Sequence, residues 1–231
     1  MTLEKPAASP LPWLLLLLSV TTGLVDAISV LGLGKVFTAN MTGNVVFLGF
    51  AASGAPGFKI APYVFAIASF MVGALIAGRV GKRHARSPLR RWLLVAASAE
   101  AVLLWIAAGV AVGFDIATQT PGSSVYVIIA LTGLAMGFRN ATIRQLKVPD
   151  LTTTVLTLTI TGLAADSSVA GGANPNWARR IASVAAIFLG AAIGAYLVTH
   201  GGLVAPLILA GGLIFAGTIA CMLHPAAAKP L

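Results

Sequence analysis

The chain has 231 residues, of which 58% are hydrophobic and only 9% charged, with a formal net charge of +9. A soluble domain carries about 25% charged residues, so this composition excludes a globular surface in water and leaves an all-α, polytopic membrane protein whose first partner is the lipid bilayer. Lys and Arg collect in a few loops without a basic-aromatic stripe, so the charge is read as orientation in the membrane and no nucleic-acid partner is expected.

Residues 1–12 form a short polar start with Lys5 and several prolines. Trp13 to Leu33 is the first span. Val25-Asp26-Ala27 resembles the small-x-small site that closes a signal peptide, but the apolar run continues past it to Leu33, which favours a retained span. Gly34-Lys35 breaks the run, and F-T-A-N-M-T-G-N follows from Phe37 to Asn44. Thr38 to Ser53 is a short apolar stretch, marginal against the roughly 20 residues that a span needs. After a turn region at 53–62, Tyr63 to Val80 spans, and Gly81 to Arg91 carries Lys82, Arg83, Arg86, Arg90 and Arg91. Trp92 to Val112 spans with Glu100 inside it, and a loop with Asp115 follows. Tyr126 to Leu146 spans and ends in polar company at Arg139, Asn140, Arg144 and Gln145. Leu151 to Ala165 is a second short stretch, rich in Thr. A Gly/Ser/Asn loop and Arg179-Arg180 lead into the last two spans, Ile181 to Val198 and Leu203 to Leu223. The apolar runs are continuous rather than alternating, which argues against a β-barrel. Trp13, Tyr63, Trp92, Tyr126 and Trp177 stand at or near span starts, where interfacial anchors belong.

The whole chain, 1–231, reads as one transmembrane domain with internal repeats at 13–113 and 123–223. Gly23, Asp26-Ala27 and Thr38 lie 114 residues before Gly137, Asn140-Ala141 and Thr152, and Gly73-x-x-x-Ala77 matches Gly190-x-x-x-Gly194 at an offset of 117. If the two short stretches are re-entrant half-helices, six transmembrane helices remain, three per half. An odd number of crossings turns the second half over, giving an inverted repeat. With both termini cytoplasmic, only Lys35 and Lys59 then face outward, whereas eight crossings would expose basic clusters in either orientation.

Re-entrant backbone must be satisfied inside the membrane by protein or by water in a cavity. Thr38, Asn40, Thr42 and Asn44 can cap half-helices or line a wet site, and Gly43 permits close approach. They are read equally as helix glue and as solute contacts. Asp26 lies too deep to reach an interface, so it needs a cation, a proton or a hydrogen-bonding cavity. Arg139, beside the repeat-equivalent Asn140, is its natural ion-pair partner. Glu100 is treated alike with no motif around it. Thr153, Thr154 and Thr157 belong to a threonine ladder that either lines a pathway or bonds back to its own helix. Cys221 is the single cysteine, and His84, His200 and His224 have no ligand spacing, so no metal and no cofactor are expected.

G-L-V-D-A at Gly23 to Ala27, followed by F-T-A-N-M-T-G-N, resembles the YoaK-like family of bacterial inner-membrane proteins, a family of unknown function. G-F-R-N-A at Gly137 to Ala141 and T-T-V-L-T at Thr153 to Thr157 extend the resemblance over nearly the whole chain. Leu158 stands where the family pattern usually has Gly. The resemblance implies a bacterial inner (cytoplasmic) membrane protein, with small-molecule transport sometimes suggested and no established substrate.

The function expected is a transporter or channel for a small polar solute or ion, through a site formed by the two short broken helices. The alternative is a non-transporting membrane scaffold or regulatory protein. No His-Glu-x-x-His, G-x-S-x-G or phosphate-binding loop is present, so no enzymatic activity is expected. An oligomer is compatible with each reading. A polar cavity reaching Asp26 and Asn40 would favour transport, and a sealed interior the scaffold.

Overall fold

The computed structural model describes residues 10–84, 87–146 and 156–224. They form α1 (Leu11–Gly32), α2 (Met41–Ala52), α3 (Ile60–His84), α4 (Leu89–Val110), α5 (Gly122–Leu146), α6 (Leu156–Ala165), α7 (Trp177–Gly201) and α8 (Val204–Met222), with one 3₁₀ turn at Ser168–Ala170. Six of these helices are long and apolar enough to cross a membrane. The other two, α2 with 12 residues and α6 with 10, do not qualify. At 1.5 Å per residue they reach about 18 and 15 Å, against a hydrocarbon core about 30 Å thick. The chain is a multi-pass, all-helical membrane protein.

α1 stops because Gly34 and Lys35 both turn left-handed, at φ 80 and 64, while the Lys35 N–H reaches back to the Val30 carbonyl at 3.1 Å. The chain then makes its short excursion through α2 and comes back to the same end. Lys35 Nζ lies over the Phe58 ring, 5.4 Å from its centre, and Leu33 shares a cavity with Pro62 and Tyr63 at the start of α3. So α2 enters and leaves on one side.

Glycines set the closest helix contacts. A Cβ on Gly190 would stand 1.9 Å from the Val20 carbonyl oxygen, and one on Gly23 would stand 2.1 Å from that of Ile187. With Gly194 against Leu24, these contacts run α1 and α7 parallel. Likewise a Cβ on Gly137 would meet the Phe70 carbonyl at 2.0 Å and one on Gly73 that of Leu134 at 2.2 Å, so α3 and α5 run parallel. Small residues let these backbones touch. Gly190→Val should therefore force α1 from α7 and cost about 1–3 kcal/mol, read as a lowered melting temperature in detergent. Gly212→Val, which meets nothing within 4 Å, is the silent control.

α1 runs antiparallel to α5. Leu18 and Thr22 meet Arg139 near one end, and Gly32 meets Gln119, just before α5, at the other. The end where α1 starts is called proximal here, and the opposite end distal. α7, being parallel to α1, starts at the proximal end where α5 finishes, so α5 ends and α7 begins on one side, with α6 packed on α7. Among the described residues, Lys82, Arg83, Arg90, Arg91, Arg144, Arg179 and Arg180 flank the proximal helix ends, and Lys35 and Lys59 the distal ones.

Two expected interfacial anchors are instead core residues. Trp92 and Tyr63 are each 1% exposed. Trp92 packs between the rings of His84 and Phe138, and Tyr63 sits against Phe47. An aromatic at a helix start serves as an anchor only on the lipid-facing side. Trp13, Tyr126 and Trp177 are exposed as anchors require.

Candidate functional site

α1 and α5 are the most enclosed of the long helices, and among the described residues the most buried charged pair, Arg139 of α5 and Glu100 of α4, lies at the seam between them. Arg139 of α5 is almost completely buried. Its Nη1 donates to the Leu18 carbonyl at 3.1 Å and to Thr22 Oγ1 at 3.0 Å, both on α1. Its Nη2 forms an ion pair with Glu100 Oε1 of α4, itself buried. Arg139 thus joins three helices, and its partner is Glu100 rather than the expected Asp26. Glu100 faces the seam directly, whereas the route from Asp26 to the guanidinium exceeds ion-pair distance. Nε of Arg139 has no hydrogen-bond partner among the described residues.

Asp26 is held differently. The Ala39 N–H donates to its carboxylate, and Arg139 acts on it electrostatically from farther away. Its Oδ1 is shielded and has no hydrogen-bond partner among the described residues. So Asp26 does lie beside the opening motif, as its depth requires. Within that motif the residues divide. The Phe37 N–H donates to Asn44 Oδ1 at 2.9 Å while Asn44 Nδ2 donates to the Phe37 carbonyl, so one side chain closes the turn from both sides. Gly43 makes room for the Phe37 ring, which would lie 2.6 Å from a Cβ there. Thr38 is fully buried, and its hydroxyl lacks a partner among the described residues. Asn40 is the partly buried N-cap residue of α2 without a side-chain cap bond, and Thr42 is exposed. Asn44→Leu should strand both backbone groups of Phe37 at about 1–3 kcal/mol each. Faster amide exchange across 37–44 would report the loosened turn.

In the second half, Asn140 Nδ2 donates to the Met136 carbonyl of its own helix at 2.8 Å. Thr157 is exposed, while the neighbouring Thr159 is buried. Thr153 and Thr154 lie outside the described residues, as does Thr152 of the repeat offset. Sequence reasoning missed Thr22, although it stands one turn before Asp26 on the same helix face.

A cavity lies at each end of the seam. The proximal cleft, walled by Leu14, Leu18, Leu93, Leu146 and the Glu100–Arg139 pair, has a volume of about 20 Å³, room for about one water. The distal vestibule is about 240 Å³ and is lined by Lys59, Tyr63, Gln119, Tyr126 and Leu33, among others. A third cavity, about 280 Å³, lies between α6 and α7 at Leu163, Asn174, Trp177 and Ile181. Asp26 and Asn40 line none of these three. Gln119 fastens the vestibule wall, its Nε2 donating to the Gly32 carbonyl at 3.0 Å and to that of Ile116 at 2.7 Å. In the same loop the Thr118 hydroxyl and the Ala117 N–H donate to Asp115 and hold its carboxyl below the usual range. That support exists above the ordinary carboxylate pKa and is lost as pH falls through the lowered value. Among the described residues, no three His, Cys, Asp or Glu side chains gather to hold a metal ion.

The protein family described as "Protein of unknown function (DUF1275)" matches residues 14–220. The chain belongs to the DUF1275 family. It is also 32% identical over 155 residues to the UPF0700 transmembrane protein YoaK of Bacillus subtilis (strain 168), an alignment covering 67% of this chain and 66% of that relative. No solved structure matches the chain. The DUF1275 match takes in both motifs, the Glu100–Arg139 pair, four long helices whole and all but the outer ends of α1 and α8, so the seam lies inside the shared region.

Proposed function

We propose that this DUF1275 protein is a transporter or channel that moves a small polar solute along the α1–α5 seam of a bacterial inner membrane, with both termini in the cytoplasm. The observation that carries the reading is the Glu100–Arg139 pair, buried on the seam with a cavity at either end. Buried ion pairs are poor stabilisers, because desolvation offsets their attraction. Ionisable groups inside a membrane are rare and mark solute or ion pathways by default.

Matching glycine contacts in the two halves support the reading, because they suit an inverted repeat. Gly23 and Gly190 join α1 to α7 as Gly137 and Gly73 join α5 to α3, with partner residues at the same offsets of 114 and 117. Two halves of opposite orientation can exchange conformations, closing the 240 Å³ vestibule and opening the 20 Å³ cleft. The short helices then brace the long ones, since α2 packs on α3 and α6 on α7. On this reading the path follows the seam rather than the broken helices. The scaffold alternative draws on one fact: Asp26 and Asn40 line none of the three cavities.

Uptake of a panel of labelled solutes into proteoliposomes containing the full chain tests the function. Accumulation above protein-free vesicles is expected for one class of solute. A panel that gives none favours the scaffold. Orientation is tested separately in a Cys221→Ala background. Thr118→Cys should react with an impermeant thiol reagent outside the cell and Lys82→Cys should not. The reverse pattern sinks the topology.

A further inference from the structure

Arg139 keeps its proton at any accessible pH, so within a membrane its guanidinium always requires an anion. In this structure the anion is Glu100. Glu100, unlike Arg139, can become neutral by taking up a proton. Two arrangements therefore balance the pair: ionised Glu100 on Arg139, or protonated Glu100 with an external anion on Arg139. The guanidinium can accept such a guest, because Nε has no hydrogen-bond partner among the described residues. Apart from Thr142 and Thr218 the cleft around it is apolar, walled by Leu14, Leu18, Leu93, Ile143 and Ile214. At about 20 Å³ it admits a guest larger than a water only in the opened state of the transport cycle.

The distal vestibule points independently to the same sign of charge. Lys59 is its one charged lining residue. Lys35 Nζ stands beside it, 4.0 Å from where a Cβ on Gly57 would be. These are the lysines at the distal end among the described residues, where the positive-inside rule disfavours them. Asp115, the acidic residue there, does not line the vestibule and is engaged by Thr118 and Ala117.

We propose that Arg139 binds a small carboxylate-bearing monoanion with a short apolar body, which replaces Glu100 on the guanidinium while Glu100 takes up one proton. The inference rests on the transport reading for its route of entry. Each anion then travels with one proton, and the pair is neutral in both states, which spares the hydrocarbon core a net charge. The other titratable group acting on Arg139 is Asp26 of α1. α8 contributes Ile214 and Thr218 to the cleft and no titratable side chain.

Titration calorimetry of the full chain in dodecyl maltoside, with lactate as the probe and two buffers of different ionisation enthalpy, reads affinity and proton uptake together. About one proton should be taken up per lactate bound, and affinity should weaken about tenfold per pH unit once Glu100 is ionised. Choline and glycerol should not bind. Glu100→Gln imitates the protonated acid, so it should bind lactate without proton uptake and without pH dependence, and lactate should raise its melting temperature more than that of the parent. If Glu100→Gln folds only when lactate is present, that rescue is the same result. The double variant Glu100→Gln, Arg139→Gln should bind none. Lactate binding by the double variant, binding by the parent without proton uptake, or no binding by parent and Glu100→Gln alike overturns the proposal. The uptake assay keeps the two readings apart. Accumulation of a neutral or cationic solute alone leaves transport standing and removes the anion, whereas lactate binding without uptake of any solute removes transport.

Discussion

Glu100→Gln and Arg139→Gln should each lower stability in detergent by about 3–5 kcal/mol, and the double variant should recover most of the loss. Glu100→Gln leaves the full charge of Arg139 buried with its partner gone, and Arg139→Gln leaves Glu100 to be buried unpaired or neutralised by a proton. The double change leaves two neutral amides that can bond to each other and to Thr22. Arg139→Gln also removes the donor that ties α5 to the Leu18 carbonyl and Thr22 on α1, so of the two single variants it should melt lower. A double-mutant cycle read by thermal unfolding isolates the coupling. A coupling below about 0.5 kcal/mol, within the range of independent sites, would mean that the pair does not meet inside the bundle. Because Arg139 touches α1, α4 and α5 together, the loss should be cooperative across the molecule rather than confined to one helix end.

The architecture was legible wherever a rule depends on length or on one residue's own backbone. Six runs were long enough to cross and two were not. Gly34-Lys35 broke the apolar run, and α1 does end there, where two successive left-handed residues cannot continue a helix. The glycines at 23, 73, 137 and 190 stood out by spacing, and each lies at a helix crossing. What escaped was everything that depends on which way a helix is turned. Glu100 and Arg139 are 39 residues apart on different helices, and nothing local announces that they meet. Repeat alignment placed Asn140 opposite Asp26 and so suggested Arg139 for Asp26, yet a one-residue step on a helix is a turn of about 100°. The same phase uncertainty put Trp92 and Tyr63 among the lipid-facing anchors and chose Thr157 over the buried Thr159.

The motif F-T-A-N-M-T-G-N was likewise half legible. Its polarity at membrane depth marked it as special, and one of its members, Ala39, does donate its N–H to Asp26. But polarity could not tell a residue that shapes the turn from one that faces a solute. Asn44 spends its amide on the backbone of Phe37, and Gly43 is needed for the ring of the same residue. Their conservative replacement should therefore disturb folding first and function through it. Thr38 is the buried motif side chain left with bonding capacity to spare, its hydroxyl having no partner among the described residues.

Asp26→Asn should match or exceed the parent in stability, while Asp26→Ala should lose about 1–3 kcal/mol. Asp26 lies six residues before the end of α1, a depth of about 9 Å at 1.5 Å per residue, and its short side chain cannot reach the interface. Its carboxylate takes one bond from the Ala39 N–H, while Oδ1 has no hydrogen-bond partner among the described residues. Asn keeps an acceptor for Ala39, adds a donor, and removes a charge that is costly to bury. Ala removes the acceptor, strands the Ala39 N–H and leaves a small void. The expected order on thermal melting is therefore Asn at or above Asp, with Ala lowest. If attraction to Arg139 held this part of the fold together, Asn would fall as far as Ala, and that outcome would refute the assignment. A second readout is functional. A carboxylate beyond ion-pair distance is worth about 1–2 kcal/mol to a guanidinium at an effective dielectric near 20. Asp26 competes by that amount with any anion arriving at Arg139. Asp26→Asn should then tighten lactate binding about tenfold and slow its release, so that uptake falls although the protein is as well folded as before.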